Sequence, residues 1–237
     1  MDSQNDSESE KAKSLHSENS HKSNHPPKHD KKYKMIIIGS SGVGKTSLIY
    51  KALKNEFTPN LQSTLGFEYN NIIAKINDKK ILLQTWDLCG QEIFHSIMGS
   101  FYKRSNLIIL VYAIDDRESF NNLEFWLGEI RTYSNPDTKI VLVGNKIDLD
   151  SQRAVTFEEG KDFFTKNTLD LFFESSAKEG TNASDIFTES VKMLYEIEQK
   201  KKINNKGRKL SDENKEGFYL NETNEMENTG KSCEECY

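Results

Sequence analysis

The sequence predicts a doubly wound α/β fold, a mostly parallel sheet with helices on both faces, and three observations carry that prediction. The apolar run Met35-Ile36-Ile37-Ile38 leads into Gly39-Ser40-Ser41-Gly42-Val43-Gly44-Lys45-Thr46, a buried strand that turns through glycines and opens a helix. A second apolar run, Ile140-Val141-Leu142-Val143-Gly144, ends in Asn145-Lys146-Ile147-Asp148. Around these, strand-length apolar runs alternate with helical patterns, as crossover units of a parallel sheet do.

In chain order, strands are expected at 33–38, 68–76, 80–86, 107–114, 139–145 and 169–175. Asn77-Asp78 reads as a hairpin turn between the second and third, so one edge strand should run antiparallel. Helices are expected at 45–53, 119–133, 157–166 and 182–200. Thr156 with Glu159, and Asn182 with Asp185, have the spacing of helix-start caps. Phe187, Val191, Leu194 and Tyr195 give the last helix an apolar face for the core.

The glycine run fits G-x-x-x-x-G-K-[ST] in the strand-to-helix setting that gives this pattern its meaning. Glycine lets backbone N–H groups close on phosphate oxygens, and the helix N-terminus adds unpaired N–H groups and a positive dipole end. The expected phosphate-binding set is Ser41, Gly42, Val43, Gly44, Lys45, Thr46 and Ser47. Lys45 would reach the β- and γ-phosphates and the Thr46 hydroxyl would hold Mg²⁺.

The base is read elsewhere. The Asp148 carboxylate can accept two parallel hydrogen bonds from guanine N1–H and its exocyclic amine, a donor pair that adenine lacks. Asn145 would tie this loop to the phosphate loop, and the Lys146 stem would pack over the base. Ser176-Ala177-Lys178 follows another apolar stretch, with the Ala177 N–H as donor to guanine O6. Phe57 would pack edge-on against the base.

Between these motifs lies Trp86-Asp87-Leu88-Cys89-Gly90-Gln91-Glu92. Asp87 is placed to hold Mg²⁺, and Thr64 supplies a second hydroxyl for it. Gly90 can offer its N–H to a γ-phosphate. Gln91 carries both a donor and an acceptor, which suits it to orient an attacking water.

The chain has 237 residues, enough for one domain with a full core plus tails. A formal charge of −5, from 32 basic and 37 acidic side chains, argues against nucleic acid as the main partner. Residues 1–32 are a polar low-complexity stretch that cannot bury enough apolar surface to order itself. Its His16, His21, His25 and His29 fit a solvated tail better than a metal site. No run approaches the ~18 apolar residues of a membrane span, and residues 1–32 contain no secretory apolar segment. Residues 200–237 read as a flexible tail, basic from Lys200 to Lys209, then acidic, ending Cys233-Glu234-Glu235-Cys236-Tyr237. A zinc reading of the two terminal cysteines lacks a second ligand pair.

Taken together, these motifs resemble the Ras superfamily of small GTPases and, within it, the Rab family, over residues 33–198. Rab character lies in Thr64-x-Gly66, in Ser119-Phe120 before Trp126-Leu127, and in Tyr69, Trp86 and Phe101, which match an aromatic triad that reads nucleotide state. Leu88-Cys89, Ile93, Leu61 and Phe67 depart from the family pattern on partner-reading surfaces. The resemblance implies a P-loop NTPase G domain over 33–199 with a six-stranded sheet. It implies a GTP/GDP switch with Mg²⁺ that serves vesicle trafficking from the cytoplasmic face of endomembranes. Its implied partners are an exchange factor, a GTPase-activating protein, a GDP-dissociation inhibitor, escort and prenyl-transferase machinery, and effectors. Cys233 and Cys236 would carry the prenyl groups. Two other readings stay open at this point, a G domain that holds nucleotide without turnover and a small GTPase that works without lipid.

Overall fold

The computed structural model describes residues 15–16, 28–59, 61–62, 64, 66–88 and 95–216. Its sheet runs in the order β1-β3-β4-β2-β5-β6-β7. The strands are β1 (Leu15–His16), β2 (Lys31–Ile38), β3 (Phe67–Ile76), β4 (Lys79–Leu88), β5 (Leu107–Ala113), β6 (Lys139–Asn145) and β7 (Leu171–Ser175). The helices are α1 (Lys45–Lys54), α2 (His95–Tyr102), α3 (Arg117–Asn121), α4 (Leu123–Tyr133), α5 (Phe157–Lys166) and α6 (Ala183–Glu216).

Five of the six expected strands are parallel neighbours, β4-β2-β5-β6-β7, and β3 pairs antiparallel with β4. The hairpin turn falls at Asn77 and Asp78, both at positive φ (46° and 63°), as a two-residue turn between twisted strands demands. All seven residues of β5 are buried, as an interior strand covered on both faces requires. Its Ile108, Leu110 and Tyr112 share a core with Ile36 and Ile38 of β2 and with Trp126, Leu127 and Ile130 of α4.

Several details differ from the expectation. The stretch read as a tail contributes β1, two residues paired with Ile73 and Ala74 on the outer edge of β3. An edge strand presents unpaired N–H and C=O groups, and those backbone bonds do not depend on the apolar content of the added segment. The helix expected at 119–133 begins at Arg117 and breaks at Asn122. Asp116 starts it early because its carboxylate accepts the Glu118 and Ser119 N–H groups at 3.0 and 3.2 Å. Helix α2 was not expected, since no capping side chain precedes it and Gly99 interrupts it. Helix α6 continues to Glu216, past the expected end at 200, with a Glu198–Lys202 pair at 3.1 Å across the expected end.

The Thr156–Glu159 capping box is present in both directions. Asn182 does not cap α6 with its side chain. It sits at φ 56°, and its side-chain amide donates to the Glu174 carbonyl at 2.7 Å. The chain divides into two compact units, Met1–Leu194, which holds the sheet, and Tyr195–Tyr237, which holds the C-terminal part of α6.

Candidate functional site

The loops that follow β2, β6 and β7 leave one edge of the sheet, the carboxyl ends of its parallel strands, where open α/β sheets bind ligands. A cavity of about 410 Å³ opens there, within the usual range for a small-molecule site. Ser41, Gly42, Gly44, Lys45, Thr46 and Ser47 line one part of it, and Asn145, Lys146, Asp148, Ala177 and Lys178 another. Phe57 and Thr64 also reach the lining. Val43 does not; its side chain is fully buried and its carbonyl serves the next loop.

Local geometry explains the phosphate loop. Gly44 lies at φ 92°, and a Cβ there would strike the Asn145 side-chain amide. Gly39 lies at φ 138°, and a Cβ there would strike the Val111 carbonyl of the neighbouring strand. Only glycine serves at either place. Lys45 is 7% exposed, and its ammonium donates to the Gly39 and Ser40 carbonyls at 2.9 Å each. A positive charge is thus fixed above the loop at the N-terminus of α1.

Asn145 joins this loop to the other two. It is buried, donates from Nδ2 to the Val43 carbonyl at 2.8 Å and accepts the Ala177 N–H at Oδ1, 3.2 Å away. The Ala177 N–H expected to face guanine O6 therefore bonds Asn145, because the β6 and β7 ends lie side by side, with Asn145 paired to Ser175. The Asp148 side chain is 7% exposed. Its Oδ1 accepts the Ser176 hydroxyl at 2.6 Å, and Lys178 Nζ lies 3.8 Å from Oδ2. Ser176 in turn accepts the Glu179 N–H at 3.0 Å, which fixes the direction of its proton toward Asp148. Lys146 sits at φ 72°, with its ammonium 3.4 Å from Asp115. The sequence reading passed over Asp115; its one signal was its place just beyond the carboxyl end of β5.

At the other end of the cavity, Thr46 Oγ1 lies 2.9 Å from Thr64 Oγ1 and donates to Asp87 Oδ2. Asp87 is fully buried and its Oδ1 has no partner among the described residues. Burial pushes its carboxyl up to about 6, against the Thr46 hydrogen bond and the Lys45 charge, which pull it down; the Glu68 charge pushes it further up. A buried carboxylate with an orphaned oxygen beside two hydroxyls is a hard oxygen set that fits Mg²⁺. Among the described residues no three His, Cys, Asp or Glu side chains gather as a metal cluster. Phosphate oxygens and water would therefore complete the six ligands of such an ion. Gly90 and Gln91 lie outside the described residues, as do Cys233 and Cys236.

Beside this end, Trp86 packs with tilted rings against Tyr69 (4.9 Å between ring centroids) and Phe101 (5.3 Å). Phe67, 52% exposed, joins them at 5.4 Å from Trp86 and 5.2 Å from Phe101. The Lys34 ammonium donates to the Phe101 carbonyl at 2.8 Å, so a cation holds the C-terminal turn of α2 against this cluster.

The model of the Ras family matches residues 34–196 of this chain. The chain is 41% identical over 162 residues to the Ras-related protein Rab-2B of Dictyostelium discoideum, covering 68% of this chain and 80% of that protein. It is 37% identical over 175 residues to RABA1b of Arabidopsis thaliana, covering 74% and 81%. With Rab-11B of Dictyostelium discoideum it shares 43% over 162 residues, covering 68% and 73%. A glycine-rich loop and a carboxylate-bearing loop on one cavity, with the Ras-family match over residues 34–196 and these relatives, place the chain in the Ras family of GTPases, on its Rab branch.

Proposed function

We propose that the cavity holds a guanine nucleotide with its base at Asp148 and its phosphates at the glycine loop, and that this chain is a GTP/GDP switch in vesicle trafficking. The carrying observation is that the 7%-exposed Asp148 carboxylate and the Lys45-bearing loop line the same cavity. Ser176 occupies one face of Oδ1, which leaves the carboxylate oriented to accept the two parallel donors of guanine.

Thr46, Thr64 and Asp87 would hold Mg²⁺, which when bound neutralises charge on the β- and γ-phosphate oxygens. The Lys45 ammonium would stabilise the same oxygens from the loop side. In hydrolysis a water oxygen attacks the γ-phosphorus, the bond to the β–γ bridging oxygen breaks, and GDP and phosphate leave. Gln91 would align that water, a role supported by its paired donor and acceptor and by its place after Gly90. Residues 56–66 contain no arginine, so the transition-state cation would come from an activating protein, worth about 10⁵-fold in this reaction class.

Family membership implies regulators and effectors in general; an exchange factor, an activating protein and a GDP-dissociation inhibitor are the specific partners proposed. No helix among the described residues is long and apolar enough to cross a membrane. Prenylation of Cys233 and Cys236 by escort and transferase machinery would supply the anchor to a cytoplasmic membrane face. Two lipids, or one lipid with the basic stretch from Lys200 to Lys209, meet the two-signal requirement for stable anchoring.

Asp148→Asn should weaken GTP binding by about two to four orders of magnitude and favour xanthosine triphosphate, whose added carbonyl replaces a donor with an acceptor. Competition binding checks this. Displacement of GDP by ATP from the unmutated protein at comparable concentration would contradict the base assignment.

Gln91→Leu should leave nucleotide affinity within about twofold while suppressing activator-stimulated turnover by at least a hundredfold, since only a transition-state interaction is lost. Single-turnover hydrolysis with activating protein is the measurement, and parental turnover in the variant sinks the role.

Protein isolated from its own cells should show the mass of one or two prenyl groups, and Cys233→Ser with Cys236→Ser should abolish both that mass and membrane association. An unmodified mass in the parent removes the anchor from this account.

A further inference from the structure

Glu68 and Asp87 stand directly opposite one another across the antiparallel pair of β3 and β4. Residues paired this way share a face of the sheet with Cβ atoms about 5 Å apart, and like charges there are destabilising. One of the two is fully buried with an oxygen unpartnered among the described residues. The repelling pair falls at the second residue of β3, just beyond Gly66, which lies at φ 79°, and four residues beyond Thr64. A pivot followed by facing carboxylates makes the leading end of β3 the weak end of the strand, and that end carries Thr64 toward or away from Thr46 and Asp87.

Tyr50 acts on this weak point from α1. It lies one helical turn after Thr46, and its hydroxyl donates to Glu68 Oε2 at 2.9 Å. Burial and then the Glu68 bond push the phenol upward, so it remains a proton donor at neutral pH. The Lys54 ammonium lies over the Tyr50 ring, 4.8 Å from its centroid, and helps to hold it in place. Neither Tyr50 nor Glu68 belongs to the cavity lining.

We infer that Tyr50 and Glu68 form a latch that keeps the leading end of β3 on β4 and so limits how far the Thr64 segment swings from Thr46 and Asp87. The inference rests on reading Thr46, Thr64 and Asp87 as the Mg²⁺ ligands. Tyr50 is a positioning residue here; it engages one carboxylate of the repelling pair, and a cation at Asp87 would neutralise the other. Loosening the latch should open the metal end of the cavity and speed nucleotide release.

The test loads full-length protein with fluorescent GDP and follows release in millimolar Mg²⁺ and after chelation, alongside hydrogen exchange of the amides at 67–69. Tyr50→Phe should release GDP about tenfold faster in Mg²⁺, the scale of one hydrogen bond to a partly buried charge. The same amides should exchange faster, selectively over the rest of the sheet, with urea unfolding still cooperative. Glu68→Gln keeps an acceptor and removes the repulsion, so it should release no faster than the parent. Tyr50→Phe combined with Glu68→Gln should return release to within about twofold of the parent. Parental release from Tyr50→Phe, a double variant as fast as Tyr50→Phe, or a general loss of urea stability without selective exchange at 67–69 would each overturn the latch. If chelation does not speed release from the parent, the metal assignment fails, and selective exchange at 67–69 in Tyr50→Phe then decides the latch by itself.

Discussion

The carboxamide of Asn145 donates to the Val43 carbonyl and accepts the Ala177 N–H, so loops from β2, β6 and β7 converge on one buried side chain. In the proposed reading, phosphate recognition and base recognition fall to separate pieces of chain, and a nucleotide is bound well only if the distance between them is held. Covalent connection does not hold it, since Val43 and Ala177 lie far apart in sequence. The brace also explains a neighbouring choice, because the closeness of Asn145 to the loop leaves no room for a side chain at Gly44. Asn is suited to the position because its amide presents a donor and an acceptor side by side, neutral at every pH, where a carboxylate would carry a buried charge.

Charge is distributed unevenly around this brace. At the base end Asp148 is balanced by Ser176 and Lys178, and Lys146 by Asp115, so each charge has a partner before a ligand arrives. At the metal end Asp87 is buried with an oxygen unpartnered among the described residues and a facing Glu68. Its pairing sets two carboxylates face to face, and in the proposed reading it is the end at which a phosphate group is gained and lost. On the proposed reading, a site with its charges paired at the base end and unpaired at the metal end has the asymmetry a switch requires.

The sheet and the cavity were legible in the sequence because their signals are local. Apolar runs of four or five residues end in glycine or Asn145 and mark strand ends, and the Asn77-Asp78 turn fixes the antiparallel strand before any contact is known. Asp148, Lys45, Thr46 and Asp87 could be read as candidates because each follows such a run. What stayed hidden depends on contacts distant in sequence or on competition between local signals. Asp115 as the partner of Lys146, and Tyr50 as the partner of Glu68, follow from packing that no spacing encodes. Asn182 looked like a cap by composition, yet its amide finds the Glu174 carbonyl and the backbone turns left-handed. Helix α2 has neither a capping residue nor clean periodicity in its sequence, and its last residue, Tyr102, is buried.

The measurement that bears most directly on this account is the GDP affinity of Asn145→Ala, read together with its thermal unfolding. Loss of the carboxamide leaves the Val43 carbonyl and the Ala177 N–H without their partner, at about 1–3 kcal/mol each, and frees the two halves of the site. The account predicts a fold that stays cooperative and an affinity for GDP lower by about a hundredfold or more. A variant that unfolds cooperatively and binds GDP within about twofold of the parent would contradict the claim that one buried side chain holds the site together.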